Sequence, residues 1–317
     1  MPDIVTLTMN PALDITTSTN RVVPTDKVRC GAPRRDPGGG GLNVARVLHV
    51  LGTPATAVFP SGGHTGRALE DLVATEGVPI RSLTIRGSTR ESLTINENET
   101  GLQYRFVLPG PTVTTREQRA CLDLLIEVAS GADYVVVSGS LPPDVPADFY
   151  QHVAGAVGDL GARVIVDTSG PALRQLRGRV FLVKPSIREL RDWTGRELSA
   201  IDDQVAATRE VIDRGVCDVV VLSLGAEGAL LVTQDRDEYF PSVEVPVVSG
   251  VGAGDSMVAG VVSGLARGRS LSDSVRYGIA AGAAMLQTPG TALCRRTDVE
   301  RFYTLLTEGS AADTTVG

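Results

Sequence analysis

Short runs of β-branched and aliphatic residues recur along the 317-residue chain, and most are followed by a stretch of helical character. This alternation limits the fold more than any other feature. A strand that leads through a helix to another strand returns in parallel, and a parallel sheet needs helices on both faces. The spacing predicts strands at 4–8, 54–60, 80–86, 134–138, 163–167, 180–183 and 218–224. Helices are expected from Gly38–Gly41 to about Leu51, and at 64–76, 114–130, 147–158, 186–194, 202–214, 254–267, 271–287 and about 297–307. Strands at 228–232 and 238–245 complete the pattern.

Two segments break that rhythm. Residues 14–36 are polar and marked by prolines, with a short strand expected at about Lys27–Ala32. Residues 88–108 hold two extended pieces, 90–97 and 102–108, joined by the hairpin signal Asn98-Glu99-Thr100-Gly101. Together they predict a small β-strand lid. The expected architecture is α/β: a three-layer αβα sandwich with a mostly parallel central sheet, as one domain over 1–307, and a flexible tail at 308–317.

Composition excludes several functions. Thirty Lys and Arg against thirty-seven Asp and Glu leave a net charge of −7, which argues against nucleic acid as a partner but leaves room for a local phosphate pocket. Three histidines (His49, His64, His152) are too few for histidine-rich metal chemistry and receive no catalytic role. Four widely spaced cysteines without a C-x-x-C pair read as thiols of a reducing compartment. The opening MPDIVTLTMNPALD lacks a basic region followed by an apolar core, and no apolar run reaches membrane-spanning length. A cytoplasmic protein without a membrane partner is expected.

The chain is rich in glycine, and four motifs carry potential chemistry. Pro37-Gly38-Gly39-Gly40-Gly41-Leu42-Asn43 opens a helix, where glycine lets backbone N–H groups approach a polar ligand or lets helix pack closely on strand. Gly250-Val251-Gly252-Ala253-Gly254-Asp255-Ser256 enters an apolar helix, whose first amides suit developing negative charge while Asp255 suits proton abstraction or a plain helix start. Lys184-Pro185-Ser186-Ile187-Arg188-Glu189 offers a lysine and a carboxylate at a strand end, or an ordinary helix N-terminus. Ser223-Leu224-Gly225-Ala226-Glu227-Gly228 is a glycine turn. None is a Walker A loop, and no dinucleotide fingerprint follows the first strand, which disfavours a dehydrogenase.

In this order the motifs resemble the PfkB (ribokinase-like) carbohydrate kinases, from about Ile4 to Phe302. Its signatures are matched by GGGGLNVAR at 38–46 and VSGVGAGDSMVAG at 248–260. TLTMNPALD at 6–14, KVRCGAP at 27–33, STRES at 88–92, QYRFVLPG at 103–110 and SGSLPP at 138–143 are similar to its phosphosugar branch, nearest the minor bacterial 6-phosphofructokinases. The resemblance implies a ribokinase-like fold and ATP-dependent phosphorylation of the 1-hydroxyl of fructose 6-phosphate. Gly40 stands where 1-phosphofructokinases and tagatose-6-phosphate kinases, the alternative readings, typically carry lysine.

The resemblance also implies roles. Asp255 would be the general base, with the amides of Gly252, Ala253 and Gly254 as the anion hole. Asp14, Gly39, Gly40 and Asn43 would face the sugar, and Arg90, Ser138, Gly139 and Ser140 its phosphate, with Arg29 supplied by a second subunit. Lys27, Lys184, Ser186, Glu189, Ser223, Gly225 and Gly228 fall on the nucleotide side. Glu189 would serve magnesium through water, and backbone of Ser249, Val251, Met285, Thr288 and Gly290 a potassium ion. A homodimer through the lid is implied. Ser186 stands in place of the family's usual Asn, and Thr288, Pro289 and Ala292 in place of its more usual Asn, Gln and Arg. The Ser186 departure leaves a non-catalytic phosphosugar-binding regulator as the remote alternative.

Overall fold

The structure, a computed structural model, describes residues 3–290 and 292–313. In chain order it begins β1 (Ile4–Leu7), β2 (Ala12–Thr19), β3 (Arg34–Gly38), α1 (Gly40–Val50), β4 (Thr56–Ser61), α2 (Gly63–Thr75) and β5 (Ile80–Thr84). There follow β6 (Arg90–Glu97), β7 (Gln103–Val107), α3 (Thr115–Val128), β8 (Tyr134–Ser138), α4 (Phe149–Gly158), β9 (Arg163–Asp167) and α5 (Gly170–Arg174). The last part comprises β10 (Val180–Val183), α6 (Ile187–Thr194), α7 (Ile201–Asp213), β11 (Cys217–Ser223), β12 (Ala229–Thr233), β13 (Asp237–Phe240), α8 (Ala253–Ala266), α9 (Leu271–Leu286) and α10 (Arg296–Asp313).

Nine strands form one sheet in the order β13-β12-β11-β10-β9-β8-β1-β4-β5. Pairing is parallel from β5 to β11, and only β12 and β13, reached through tight turns, run antiparallel. The parallel strands are apolar on successive residues because both faces are covered. Ile4, Val136, Ile165, Leu182 and Val219 pack into a core shared with α1, α8, α9 and α10. Their neighbours Val5, Val137, Val164, Val183 and Val220 face a second core shared with α3, α4 and α7. One residue of register therefore decides which layer a side chain joins.

A second, four-stranded sheet has the order β3-β2-β6-β7. Within the lid segment 14–36 the sequence predicts a strand only at Lys27–Ala32, yet Ala12–Thr19 pairs in parallel with β6 over eight residues, from Ala12 opposite Arg90 to Thr19 opposite Glu97. Long-range pairing overrides its weak apolar pattern. The short strand expected at Lys27–Ala32 is absent, and the strand is Arg34–Gly38 instead. There the chain runs beside β2 with irregular links: the Gly31 amide donates to the Ser18 carbonyl at 2.8 Å, and the Thr17 hydroxyl donates to the Gly31 carbonyl at 2.9 Å. The strand expected at 238–245 stops at Phe240, since Pro241 has no N–H for a ladder. The last helix continues past 307 to Asp313, and 314–317 lie outside the described residues.

Helices α8 and α9 pack backbone to backbone. A Cβ on Gly260 would lie 2.6 Å from the Tyr277 carbonyl oxygen, and one on Gly278 2.8 Å from that of Met257. Gly155 in α4 has open space at the same position. Alanine should therefore act with opposite sign at the two sites. Gly260→Ala is expected to cost about 1–3 kcal/mol through overpacking. Gly155→Ala is expected to gain up to about 1 kcal/mol through helix propensity. Urea unfolding of both variants checks the pair, and equal effects would contradict this packing.

Candidate active site

The carboxyl ends of β1, β8, β9, β10 and β11 lie along one edge of the large sheet, where open α/β sheets bind ligands. Two helices start there. The first turn of α1 is seated so closely that a Cβ on Gly41 would lie 2.4 Å from the Leu7 carbonyl oxygen, and one on Gly40 2.3 Å from the Ser138 hydroxyl. The glycine run thus serves close packing, and the packing carries Asn43 into the site. Helix α8 begins after Gly252, whose φ of 77° is left-handed backbone that glycine adopts readily. The first amides of α8 have no partner within the helix and form the positive end of its dipole.

Two cavities meet at this helix start. One, of about 240 Å³, is lined by Asp14, Gly39, Gly40, Asn43, Arg90, Arg105, Gly139, Val251, Gly252 and Asp255. The other, of about 710 Å³, is lined by Ser223, Gly225, Gly228, Val245, Val247, Ala253, Gly254, Met257 and Ile279. Gly252 and Asp255 face the first, Ala253 and Gly254 the second. The first cavity gathers two guanidinium groups and two carboxylates, whereas apolar side chains dominate the second.

Asp255 accepts a hydrogen bond from Asn43 Nδ2 at 2.9 Å. Burial, reinforced by the nearby Asp167 and Asp14, pushes its pKa up from 3.8 to about 7, while the Asn43 amide and Lys184 hold it down. Asp14 is raised to about 6 by burial, against the attraction of Arg90 and Arg105. Lys184 is buried, with Nζ 3.2 Å from Asp167 Oδ1. Burial disfavours its charge, but Asp167, Glu189 and Asp255 outweigh burial and hold its pKa above the ordinary value. A Cβ on Gly254 would lie 3.8 Å from that Nζ, so the ammonium stands at the mouth of α8.

Arg90 opens β6 and donates through Nη2 to the Asn10 carbonyl at 3.0 Å and through Nη1 to the Leu108 carbonyl at 3.2 Å. Ser138 ends β8, the Gly139 amide donates to the Asp167 carbonyl at 2.9 Å, and the Ser140 hydroxyl accepts from Asn10 Nδ2 at 3.3 Å. Ser186 and Glu189 make a reciprocal capping box at the start of α6: Glu189 Oε2 accepts from the Ser186 amide at 2.7 Å. Ser223 is tied to the Pro185 carbonyl by its amide at 2.9 Å. Ser249 and Val251 are brought against the end of α9, where the amides of Val248 and Ser249 both donate to the Leu286 carbonyl. The Met285 carbonyl there accepts from the Thr288 amide at 3.0 Å and its hydroxyl at 2.8 Å, and Gly290 lies just beyond.

Lys27 and Arg29 are exposed on the loop between β2 and β3 and line neither cavity. Two site residues escape the sequence reading. Arg105 sits in β7 within an exposed strand, and only the pairing of β7 with β6 carries it to the cavity. Asp167 is better signposted, as a lone carboxylate at the carboxyl end of the apolar strand Arg163–Asp167.

The pfkB family carbohydrate kinase model matches residues 7–298, and the chain belongs to that family. It is 58% identical over 307 residues to ATP-dependent 6-phosphofructokinase isozyme 2 of Mycobacterium tuberculosis, covering 97% of this chain and 91% of the relative. Phosphofructokinase-2 from Escherichia coli, solved in complex with potassium, superposes with a TM-score of 0.93 at 42% identity, over 97% of this chain and all of the other. The same E. coli protein in complex with fructose-6-phosphate gives 0.91 at 41% identity, again over 97% and 100% of the two chains. The ribokinase-like expectation holds for the fold.

The raised pKa of Asp255 has a thermodynamic sign. Folding favours its protonated form, so its unfavourable contribution is absent below about pH 4, grows as pH rises toward about 7, and then levels off. Asp255→Asn removes that penalty. Relative to the native protein, the variant is expected to be more stable by a wider margin at pH 8 than at pH 5. Urea midpoints at the two pH values test this, and an equal difference at both would show that the carboxyl is not held in a desolvated site.

Proposed function

We propose that this chain transfers the γ-phosphoryl group of ATP to the 1-hydroxyl of fructose 6-phosphate, giving fructose 1,6-bisphosphate and ADP. The observation that carries the reading is the junction of two cavities at one helix N-terminus, with the half-buried carboxylate of Asp255 facing the smaller one. The smaller cavity suits the phosphosugar, with Arg90, Arg105 and the Ser138–Ser140 turn for the phosphate and Asp14, Gly39, Gly40 and Asn43 for hydroxyls. The larger, apolar cleft suits the adenosine, with Ser223, Gly225 and Gly228 in its wall and Lys184 at its inner end.

In this reading Asp255 takes the proton of the 1-hydroxyl as that oxygen bonds to the γ-phosphorus. The bond from phosphorus to the bridging oxygen breaks, and ADP carries away the electron pair. The amides of Gly252, Ala253 and Gly254 face the charge that spreads over the transferred group, without reorganisation of solvent. A base with a pKa of about 7 suits a neutral working pH. Glu189 keeps one carboxylate oxygen outside its capping box and would hold magnesium through water. The carbonyls of the 249–251 and 285–290 loops are hard oxygen donors of the kind potassium takes. Magnesium would neutralise phosphate charge, and potassium would add positive potential beside the anion hole.

We assign the second sheet as a lid over the sugar, and the exposed apolar side chains Val23, Leu102 and Leu108 on the segments beside its strands to contact with a second copy. That contact gives Arg29 a route to a neighbouring sugar site. We assign the protein to the cytoplasm, where ATP is supplied. A sector-shaped cell run at assay concentration is expected to give a dimer mass, and full activity in a monomer would remove the intersubunit role.

A coupled assay of ATP with fructose 6-phosphate, fructose 1-phosphate and tagatose 6-phosphate tests the acceptor, with fructose 6-phosphate expected to give the highest kcat/KM. Binding without turnover on any of them would favour a regulator instead. Asp255→Asn is expected to lose at least about a hundredfold in kcat while still binding both substrates. In the native enzyme kcat/KM should fall as pH drops below about 7, following protonation of Asp255 in the free enzyme. Arg90→Ala should raise KM for the phosphosugar more than KM for ATP, and an equal rise for both would remove Arg90 as the phosphate clamp.

A further inference from the structure

Behind Asn43 lies an arginine with almost no solvent contact. Arg46, one turn further along α1, is 2% exposed. Its Nε and Nη2 each donate to a carboxylate oxygen of Glu76 at 2.6 Å. Its Nη1 donates to the Pro37 carbonyl at 2.9 Å and to Asn43 Oδ1 at 3.3 Å. Asn43 in turn donates from Nδ2 to Asp255 at 2.9 Å. One continuous path of hydrogen bonds therefore runs from the carboxyl end of α2 to the proposed base.

Direction matters along this path. A guanidinium can only donate, so it accepts only the oxygen of the Asn43 amide as a neighbour, and the amide N–H groups must then face Asp255. The reversed amide would set donor against donor at Arg46 and acceptor against acceptor at Asp255. The bidentate pair with Glu76 fixes the plane of the guanidinium, as a forked pair does and a lysine cannot. Burying a charge this deeply is costly unless it is paired and hydrogen-bonded, and four of the five guanidinium N–H groups have acceptors here.

We propose that Arg46 and Glu76 are positioning residues for the phosphoryl transfer: they lock the orientation of the Asn43 amide, so that Asp255 always receives an N–H, and tie the root of β3 at Pro37 to the same anchor. The proposal rests on Asp255 acting as the base. The charged groups facing Asp255 are Asp14 from β2, Asp167 from β9 and Lys184 after β10, and none of them touches the Arg46–Glu76 pair. Arg46 also lowers the pKa of Asp14, but only as the smallest of several influences.

Arg46→Lys and Glu76→Gln test it. The readouts are a ¹³C titration of the Asp255 side-chain carboxyl, which needs no turnover, and the pH profile of kcat for fructose 6-phosphate. Arg46→Lys is expected to move the Asp255 titration upward by about half a pH unit or more, as a lost hydrogen bond to the ionised form requires. It should lower kcat at pH 7 about three- to tenfold with KM for ATP unchanged. Glu76→Gln should shift both the same way by less, and it decides the matter should Arg46→Lys fail to melt cooperatively. In an Asn43→Ala background neither change should move the titration further. Unchanged titrations in the folded variants, or a full shift persisting without Asn43, would overturn the proposal. A native enzyme that binds but does not turn over fructose 6-phosphate would instead overturn the reading of function, while the titration still decides the positioning.

Discussion

The site depends on how closely two helix N-termini seat against the carboxyl edge of the sheet. No side chain fits between α1 and the ends of β1 and β8, because the Leu7 carbonyl and the Ser138 hydroxyl occupy the space a Cβ would need. That approach lets Asn43 reach Asp255, which enters from α8 on the other side. Helix α8 is held to α9 by the same means, through Gly260 and Gly278. Two backbone-level contacts thus fix the distance between the groups that would bind the sugar and the helix start that would hold the phosphoryl group. A site built on packed helices is more precise than one built on loops.

Charge is arranged around that frame at some expense to stability. Two carboxylates, Asp14 and Asp167, act on a third, Asp255, with the buried ammonium of Lys184 paired to Asp167 among them. Desolvation keeps Asp255 near neutrality in pKa, where a proton acceptor works best at physiological pH. An unliganded site that holds such groups out of water is less stable than one filled with amides, a common trade between stability and activity.

Much of this was legible in the sequence. Strand and helix alternation predicts the parallel sheet, because residues buried on both faces leave continuous apolar runs such as Tyr134–Val137. The glycine motifs mark both helix starts. What escapes is set by partners distant in sequence. Strand β2 has too weak an apolar pattern to place it within the lid segment, since its Asp14 and threonines are useful only once β6 lies beside it. Arg105 looks like any exposed arginine until β7 pairs with β6. The Arg46–Glu76 pair joins residues thirty apart, and no local pattern links a helix arginine to the carboxyl end of the next helix. Ser186 and Glu189 show the reverse: their capping box is local and readable, and it accounts for their geometry before any ligand is invoked.

The pairing of β2, β6 and β7 also makes the small sheet a ruler. Asp14 lies opposite Ser92, and Arg90 stands two residues back along the same strand, opposite Ala12. Strand spacing of about 4.8 Å and a rise of about 3.3 Å per residue fix the offset between their backbones at roughly 8 Å. Arg105 belongs to the next strand outward, opposite Thr94. Neither guanidinium can approach a ligand without Asp14 moving on the same rigid ladder. A phosphosugar held as proposed would therefore be measured end to end: one of the wrong length would satisfy the carboxylate or the guanidinium groups, but not both at once.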